Sequence, residues 1–240
     1  MHRSFTDDFM RLNEKFNIYG EDYNHICKSL RMKIGECLEI VGENGCYICE
    51  IENIETDHLT VMPIEKCKKS SESEIDIVLY QALAKGEKMD WIIQKAVELG
   101  IREIYPINTL RTIVKLDDKR KEKRIQRFNA IAKEASKQSR RDDIPVVNDI
   151  IDLKDIDEEN LLVAYENEEK NTLKKYLEEN KPKRIGLVIG PEGGFDPSEI
   201  EYLLDKKAAI ISLGPRILRT ETAAIVLTSI IQYELGDMGE

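Results

Sequence analysis

The sequence predicts an α/β fold with a mostly parallel sheet, preceded by a smaller β-rich domain. Beyond residue 75, short apolar runs alternate with amphipathic helical patterns, which is typical of a parallel sheet covered by helices. Before residue 70, apolar and polar residues alternate with the period of two that half-buried strands show. The polar segment "KCKKSSESE" (66–74) separates the two parts and is a predicted linker. We therefore predict two domains, at residues 1–70 and 75–240.

The first domain is predicted to be a small barrel or sandwich. Asn44-Gly45 lies within the alternating pattern of residues 36–65 and is the strongest short hairpin signal in the chain. Before it, "EDYNHICKSLRMKIG" (21–35) predicts one short helix that ends in a basic loop.

The second domain is predicted from five apolar runs and the helical patterns between them. The first run, "IDIVLYQAL", is almost continuously apolar, which indicates a strand buried on both faces of a parallel sheet. The predicted strands span residues 75–83, 102–107, 161–166, 184–190 and 208–214. The predicted helices span residues 87–100, 117–140, 168–179, 197–204 and 220–235. In the second of these helices, apolar side chains share one face, namely those of Ile125, Phe128, Ala132 and Ala135.

The composition limits the classes of function. The chain has no run of about 18 apolar residues, and "MHRSFTDDFM" lacks the apolar core of a signal peptide, so we expect a cytoplasmic protein without a membrane partner. Five cysteines in a chain without an export signal predict free thiols. "CYIC" (46–49) has the spacing of a metal knuckle but no second pair follows it, so we expect no metal site.

The charge of the protein is distributed unevenly. The net charge of −10 argues against indiscriminate binding of nucleic acid. Residues 111–141 nevertheless contain twelve basic and four acidic residues, a local charge of +8 that leaves −18 for the rest. Such a block indicates a local surface for a polyanion. The solvated face of a helix explains the same charges equally well.

Two loops follow late strands, at the edge where open α/β sheets bind their ligands. The first, "GPEGG" (190–194), precedes a helix whose start is specified by Asp196, Pro197 and Glu199. The loop has neither the Gly-Lys-Ser/Thr ending of a Walker loop nor the spacing GxGxxG, and Glu192 would repel phosphate. It therefore favours a ligand without phosphates, including a positively charged one, while a tight structural turn is the alternative.

The second loop, "LGPRILRTETAA" (213–224), contains two arginines around two apolar residues. Thr220 is a suitable N-cap for the final helix, so part of the motif is structural. Arg216 and Arg219 lie beside the turn, and guanidinium groups suit phosphate or a planar base.

Together these motifs resemble the RsmE family of bacterial ribosomal-RNA uridine N3-methyltransferases, which belongs to the knotted SPOUT class. The resemblance continues in "KGEKMDWIIQKAVELGI" (85–101), "EASKQSRRDDIP" (134–145) and "HICKSLRMKIGE" (25–36). It implies a C-terminal SPOUT α/β trefoil-knot domain with a parallel sheet, an N-terminal PUA-like β-barrel that binds RNA, and a homodimer. It also implies S-adenosylmethionine as the cofactor, and as substrate N3 of a specific uridine, uracil 1498, in the 16S ribosomal RNA of the small subunit.

The resemblance further implies which residues form the site. S-adenosylmethionine carries a sulfonium cation and no phosphate, which makes an acidic glycine loop tolerable. The residues expected to bind the cofactor are Tyr165, Glu166, Ile189, Gly190, Pro191, Glu192, Gly193, Gly194, Leu213, Gly214, Ile217, Leu218 and Thr220. The residues expected to contact RNA are Arg3, Arg31, Lys33, Arg111, Arg140 and Arg216.

Methylation at N3 requires removal of a proton and alignment of the nitrogen with the methyl group. We expect Arg219 to stabilise the negative charge that develops on the uracil. Glu221 is a second catalytic candidate, although a first-turn helix acid is the alternative, and no general base is identified. Two other functions stay open: methylation of another RNA atom, such as a ribose 2′-hydroxyl, and non-catalytic RNA binding in ribosome assembly. The glycine and arginine loops argue against the latter, because a pure binder needs no cofactor pocket.

Overall fold

The computed structural model describes residues 1–67, 72–114 and 117–239. Lys115 of the basic block and residues 68–71 of the predicted linker therefore lie outside the described residues. The chain divides into two compact units, one of residues 1–72 with 137–143 and one of residues 73–136 with 144–240. No sequence pattern indicated that residues 137–143 group with the first unit, and the domain bounds at 1–70 and 75–240 stay a prediction.

The first unit contains a five-stranded sheet that curls into a half-barrel. Its strands follow the order β1-β3-β4-β5-β2 and are β1 (Arg3–Phe5), β2 (Phe16–Tyr19), β3 (Cys37–Gly42), β4 (Gly45–Ile54) and β5 (His58–Lys66). The predicted hairpin is confirmed, because β3 and β4 pair antiparallel with Gly42 opposite Gly45. The predicted helix is shorter than expected and consists of α1 (Gly20–Asn24) and a π-helical turn at His25–Ser29.

The second unit contains a seven-stranded sheet in which all the pairs are parallel. The strand order is β12-β10-β11-β6-β7-β8, and β9 also pairs with β7. The strands are β6 (Asp76–Ala82), β7 (Glu103–Asn108), β8 (Val146–Val147), β9 (Ile151–Asp152), β10 (Leu161–Ala164), β11 (Arg184–Ile189) and β12 (Ala209–Ile211). The helices are α2 (Lys88–Glu98), α3 (Asp118–Ser139), α4 (Leu173–Glu179), α5 (Pro197–Asp205) and α6 (Thr220–Leu235).

Apolar side chains are buried on both faces of this sheet, as the near-continuous strand runs predicted. Ile77 and Leu79 of β6 pack in the cluster that includes Leu227 of α6, whereas Val78 packs in a second cluster with Leu203 of α5. Burial of each such side chain contributes about 1.5–3 kcal/mol to folding. The predicted fold class is confirmed, and none of the helices in the described residues is long and apolar enough to cross a membrane.

Candidate active site

A cavity of about 510 Å³ lies at the carboxyl ends of β10, β11 and β12. Its volume falls within the range of roughly 300–1000 Å³ that small-molecule sites occupy. The walls come from the segments that follow these three strands. They include eleven of the residues predicted to bind a cofactor: Tyr165, Glu166, Ile189, Gly190, Pro191, Gly194, Leu213, Gly214, Ile217, Leu218 and Thr220. Their roles as ligand contacts stay a prediction.

The glycine segment is shaped so that side chains are excluded at two of its positions. An added Cβ at Gly190 would lie 3.0 Å from the ring of Phe195, which is buried beneath the loop. Gly194 has a φ of +67°, and an added Cβ there would lie 2.2 Å from an oxygen of Glu166. Because L-residues rarely adopt this backbone conformation, glycine is strongly favoured at position 194.

Glu192 and Gly193 are not among the residues that line this cavity, and their predicted contact with the cofactor stays a prediction. The Glu192 carboxylate accepts a hydrogen bond from the backbone N–H of Lys85 at 3.0 Å and lies 3.5 Å from the Lys88 ammonium. Burial raises the pKa of Glu192, but these two groups outweigh it, so the pKa lies below its usual value. The acid therefore fastens the glycine loop to the start of α2, a role that needs no cationic ligand.

Glu221 is held by the same lysine. Its carboxylate lies 3.1 Å from the Lys88 ammonium, and its side chain is only 15% exposed. Glu221 does not contribute to the cavity wall. This placement favours the alternative reading of Glu221 as an acid that anchors the first turn of α6, and a role in proton transfer stays a prediction.

Replacing Lys88 with methionine is expected to weaken binding of the cofactor by about threefold. Lys88 joins the glycine loop to α6 through two carboxylates, and partly exposed ion pairs contribute roughly 0.2–1 kcal/mol each. Calorimetric titration with S-adenosylmethionine measures the effect. Lys95→Met is the matched control, because Lys95 lies on the same helix, is equally exposed and pairs with Glu98 away from the cavity. Equal affinities of the two variants would contradict this role of Lys88.

The arginines near the cavity occupy three different positions. Arg216 is exposed and contributes to the wall. Arg219 precedes the first residue of α6, is exposed, and makes no hydrogen bond to cap the helix. Arg111 is 45% exposed and donates hydrogen bonds to the Gly193 carbonyl and the Asp196 carboxylate, both at 3.2 Å. Arg111 therefore stabilises the glycine loop through these hydrogen bonds and is not part of the cavity lining.

The basic residues predicted for the first unit divide into exposed and buried groups. Arg31, Lys33 and Arg140 are exposed, as RNA contact requires. Arg3 is 7% exposed and forms ion pairs with Glu39 and Asp142, each at 2.9 Å. These contacts give Arg3 a structural role and argue against its predicted contact with RNA.

The basic block 111–141 is not one continuous surface. Its last arginine, Arg141, is 3% exposed and forms an ion pair with Glu72. Lys137 is also largely buried and pairs with Asp22 at 2.7 Å. Both side chains form ion pairs within the first unit, so their charges are already compensated. Neither interpretation of the basic block, as a surface for a polyanion or as a solvated helix face, applies to Lys137 and Arg141.

The cavity wall has chemistry that fits S-adenosylmethionine. Three carboxylates line it, those of Glu166, Glu168 and Glu169, and the wall contains no lysine. The backbone N–H groups of Asn171 and Lys170 hold the pKa of Glu168 below its usual value, so this residue is negatively charged at neutral pH. Carboxylates suit a ligand that carries sulfonium and ammonium charges. The described residues contain no cluster of histidine, cysteine or acidic side chains that could hold a metal ion.

Comparison with known proteins gives the class first. Residues 71–232 match the RNA methyltransferase domain family, and residues 18–63 match the RNA methyltransferase PUA domain family. The fold and the site therefore belong to an RNA methyltransferase. Ribosomal RNA small subunit methyltransferase E of Bacillus subtilis is 36% identical over 230 residues, which cover 91% of this chain and 90% of that protein. The protein of the same name from Mesomycoplasma hyopneumoniae is 34% identical over 95% of this chain and 97% of its own length. This chain belongs to the family of ribosomal RNA small subunit methyltransferase E.

Solved structures agree with this assignment. Ribosomal RNA small subunit methyltransferase E from Neisseria gonorrhoeae, bound to S-adenosylmethionine, matches with a TM-score of 0.91 and 27% identity over 99% of both chains. A methyltransferase from Legionella pneumophila, in complex with the same cofactor, matches with a TM-score of 0.89 and 31% identity over 98% of both chains. The resemblance that the sequence motifs indicated is confirmed.

Proposed function

We propose that this protein uses S-adenosylmethionine to methylate N3 of one specific uridine in the 16S RNA of the small ribosomal subunit. The observation that carries the proposal is the cavity at the ends of β10 to β12, whose glycine and arginine segments are the motifs of the family. The names of the relatives support the substrate class, and the ligands of the solved neighbours support the cofactor.

Residues 189–194 and 213–220 are the segments that would hold the cofactor. S-adenosylmethionine supplies the methyl group when it is bound. The chain contributes a glycine-lined wall that a backbone can present closely to a ligand, and carboxylates that favour a cation. Because N3 lies on the Watson–Crick edge, the target uridine must be unpaired or flipped out before it reaches this wall.

Arg219 is the residue proposed to assist the loss of the N3 proton. When water or hydroxide from the solvent takes that proton, negative charge is left on the uracil ring, and a guanidinium can stabilise this charge by hydrogen bonding. The Arg219 side chain is exposed directly beside Thr220, which forms part of the cavity wall. Within the described part of the chain, no ion pair or hydrogen bond occupies it, so it is available for the substrate.

We also propose the following for RNA contact, assembly and location. The candidates for contact with the RNA backbone are the exposed residues Arg31, Lys33, Arg111, Arg140 and Arg216.

A homodimer is supported by exposed apolar side chains at Ile217 and Tyr233, which a second copy would cover. Sedimentation equilibrium measures the mass in solution. A ribosomal substrate supports a cytoplasmic location.

The test of the reaction offers the protein two unmodified substrates, small ribosomal subunits and bare 16S RNA, with methyl-labelled cofactor. The RNA is then digested to nucleosides, and the modified position is mapped by reverse transcription. An N3-methyl group removes the Watson–Crick donor, so reverse transcriptase should stop one nucleotide before it. We expect label in N3-methyluridine at a single position.

Two outcomes of this test would overturn the proposal in different directions. Label in ribose, with one phosphodiester protected from alkaline cleavage, would assign the enzyme to 2′-O-methylation. No label in either substrate would favour a non-catalytic role in ribosome assembly.

A further inference from the structure

Gln81 is a fully buried polar residue in the middle of the sheet. It lies near the end of β6, a strand whose residues from Ile77 onward are buried. Its register partner on β11 is Ile189, the residue before Gly190. Gln81 is not part of the cavity wall, although both Ile189 and Gly190 are.

The Gln81 side chain begins a chain of hydrogen bonds that ends at the glycine loop. Its Nε2 donates to the Thr220 hydroxyl at 2.9 Å and to the Ala82 carbonyl at 3.0 Å. The Thr220 hydroxyl donates in turn to the Gly190 carbonyl at 2.6 Å. Because a hydroxyl has a single proton and Thr220 gives it to Gly190, the Thr220 oxygen is the acceptor in its hydrogen bond with Gln81.

This relay joins the two segments that form the cavity. Gly190 begins the loop after β11, and Thr220 is the first residue of α6, which follows the arginine loop. Both residues line the cavity, and they come from parts of the chain 30 residues apart. Gln81 holds the spacing between them from the rigid central strand.

The same side chain carries a cost in stability. Its Oε1 is buried and has no hydrogen-bond partner among the described residues. An unsatisfied buried acceptor lowers stability, whereas the two hydrogen bonds that Nε2 donates raise it. A buried polar residue that is only partly paired and joins two walls of a cavity is typical of a functional site.

We propose that Gln81 is a positioning residue that sets the distance between Gly190 and Thr220 for the cofactor. The inference rests on the proposed function, since it assumes that S-adenosylmethionine binds in this cavity. The relay acts through the carbonyl and hydroxyl of the other two residues, so Gln81 itself touches no substrate.

The test uses Gln81→Met, Thr220→Val and the double variant in the full chain. Calorimetric titration with S-adenosylmethionine should show about a tenfold loss of affinity for Gln81→Met. The double variant should lose no more than the larger of the two single losses, because both changes break one relay. The melting temperature of Gln81→Met without ligand should fall, because the Ala82 carbonyl loses this donor, so each variant is first shown by circular dichroism to be folded at the titration temperature. Thr228→Val is the control, because its hydroxyl on the same helix donates only to Ala224 of its own helix.

Each result of these titrations decides a different question. If the unchanged protein does not bind the cofactor, the proposed function fails first. If the unchanged protein binds the cofactor, and both Gln81→Met and Thr220→Val bind it with the same affinity as the unchanged protein, the positioning role is overturned. Additive losses in the double variant would show that the two residues act separately, against the relay.

Discussion

Gly194→Ala is expected to weaken binding of S-adenosylmethionine by at least about tenfold. The φ of +67° at this position costs an L-residue roughly 1–2 kcal/mol. We expect the loop of the variant to relax and relieve this strain, so that binding must restore the strained form, and about 1.4 kcal/mol corresponds to a factor of ten in affinity. The added methyl group would also lie 2.2 Å from a Glu166 oxygen, so Glu166 must leave its place in the cavity wall. Calorimetric titration measures the loss, and circular dichroism shows whether the fold persists.

Two other glycines, Gly193 and Gly214, distinguish the two causes of this effect, which are backbone strain and the clash of the added methyl group. At Gly193, φ is not positive and an added Cβ would lie 3.4 Å from the Arg111 side chain. Gly193→Ala should therefore bind the cofactor with nearly normal affinity. At Gly214, φ is +112° but no atom lies within 4 Å of the added Cβ, so Gly214→Ala tests strain without a clash. A loss at Gly193→Ala as large as that at Gly194→Ala would mean that this account of the loop is wrong.

Most of the fold was predictable because the second unit follows simple periodic rules. The five predicted strands and five predicted helices there are all present, and α6 begins and ends where the sequence predicts, at Thr220 and Leu235. The strands β8 and β9 were missed because each has only two residues, too few to show a period. In the first unit, β1 and β2 were missed for the same reason, with three and four residues.

The site was predictable where the motif itself forms the wall, and not where distant residues support it. The glycine and arginine loops are local, so their sequences indicate the cavity directly. Gln81 and Lys88 have no signal of their own, since their partners lie more than 100 residues along the chain. Charge also misled at Arg3 and Arg141, because sequence cannot show that an arginine will be buried against a carboxylate.

Arg219→Ala is expected to lower kcat by about 10²–10³-fold while the affinity for S-adenosylmethionine stays unchanged. Loss of a group that stabilises developing charge has an effect of this order. The Arg219 side chain does not line the cavity and makes no cap to α6, so neither cofactor binding nor the helix should depend on it. Single-turnover rates on small ribosomal subunits measure kcat, and calorimetric titration measures the affinity.

The pH dependence of this variant distinguishes charge stabilisation from simple RNA binding. Higher pH favours the uracil that has lost its N3 proton, so the rate of Arg219→Ala should rise with pH more steeply than that of the unchanged enzyme. Arg219→Lys keeps the positive charge without the planar fork and should recover part of the rate. If Arg219→Ala instead raises KM for the ribosomal subunit, with kcat and the pH profile unchanged, the arginine binds RNA and takes no part in the proton loss.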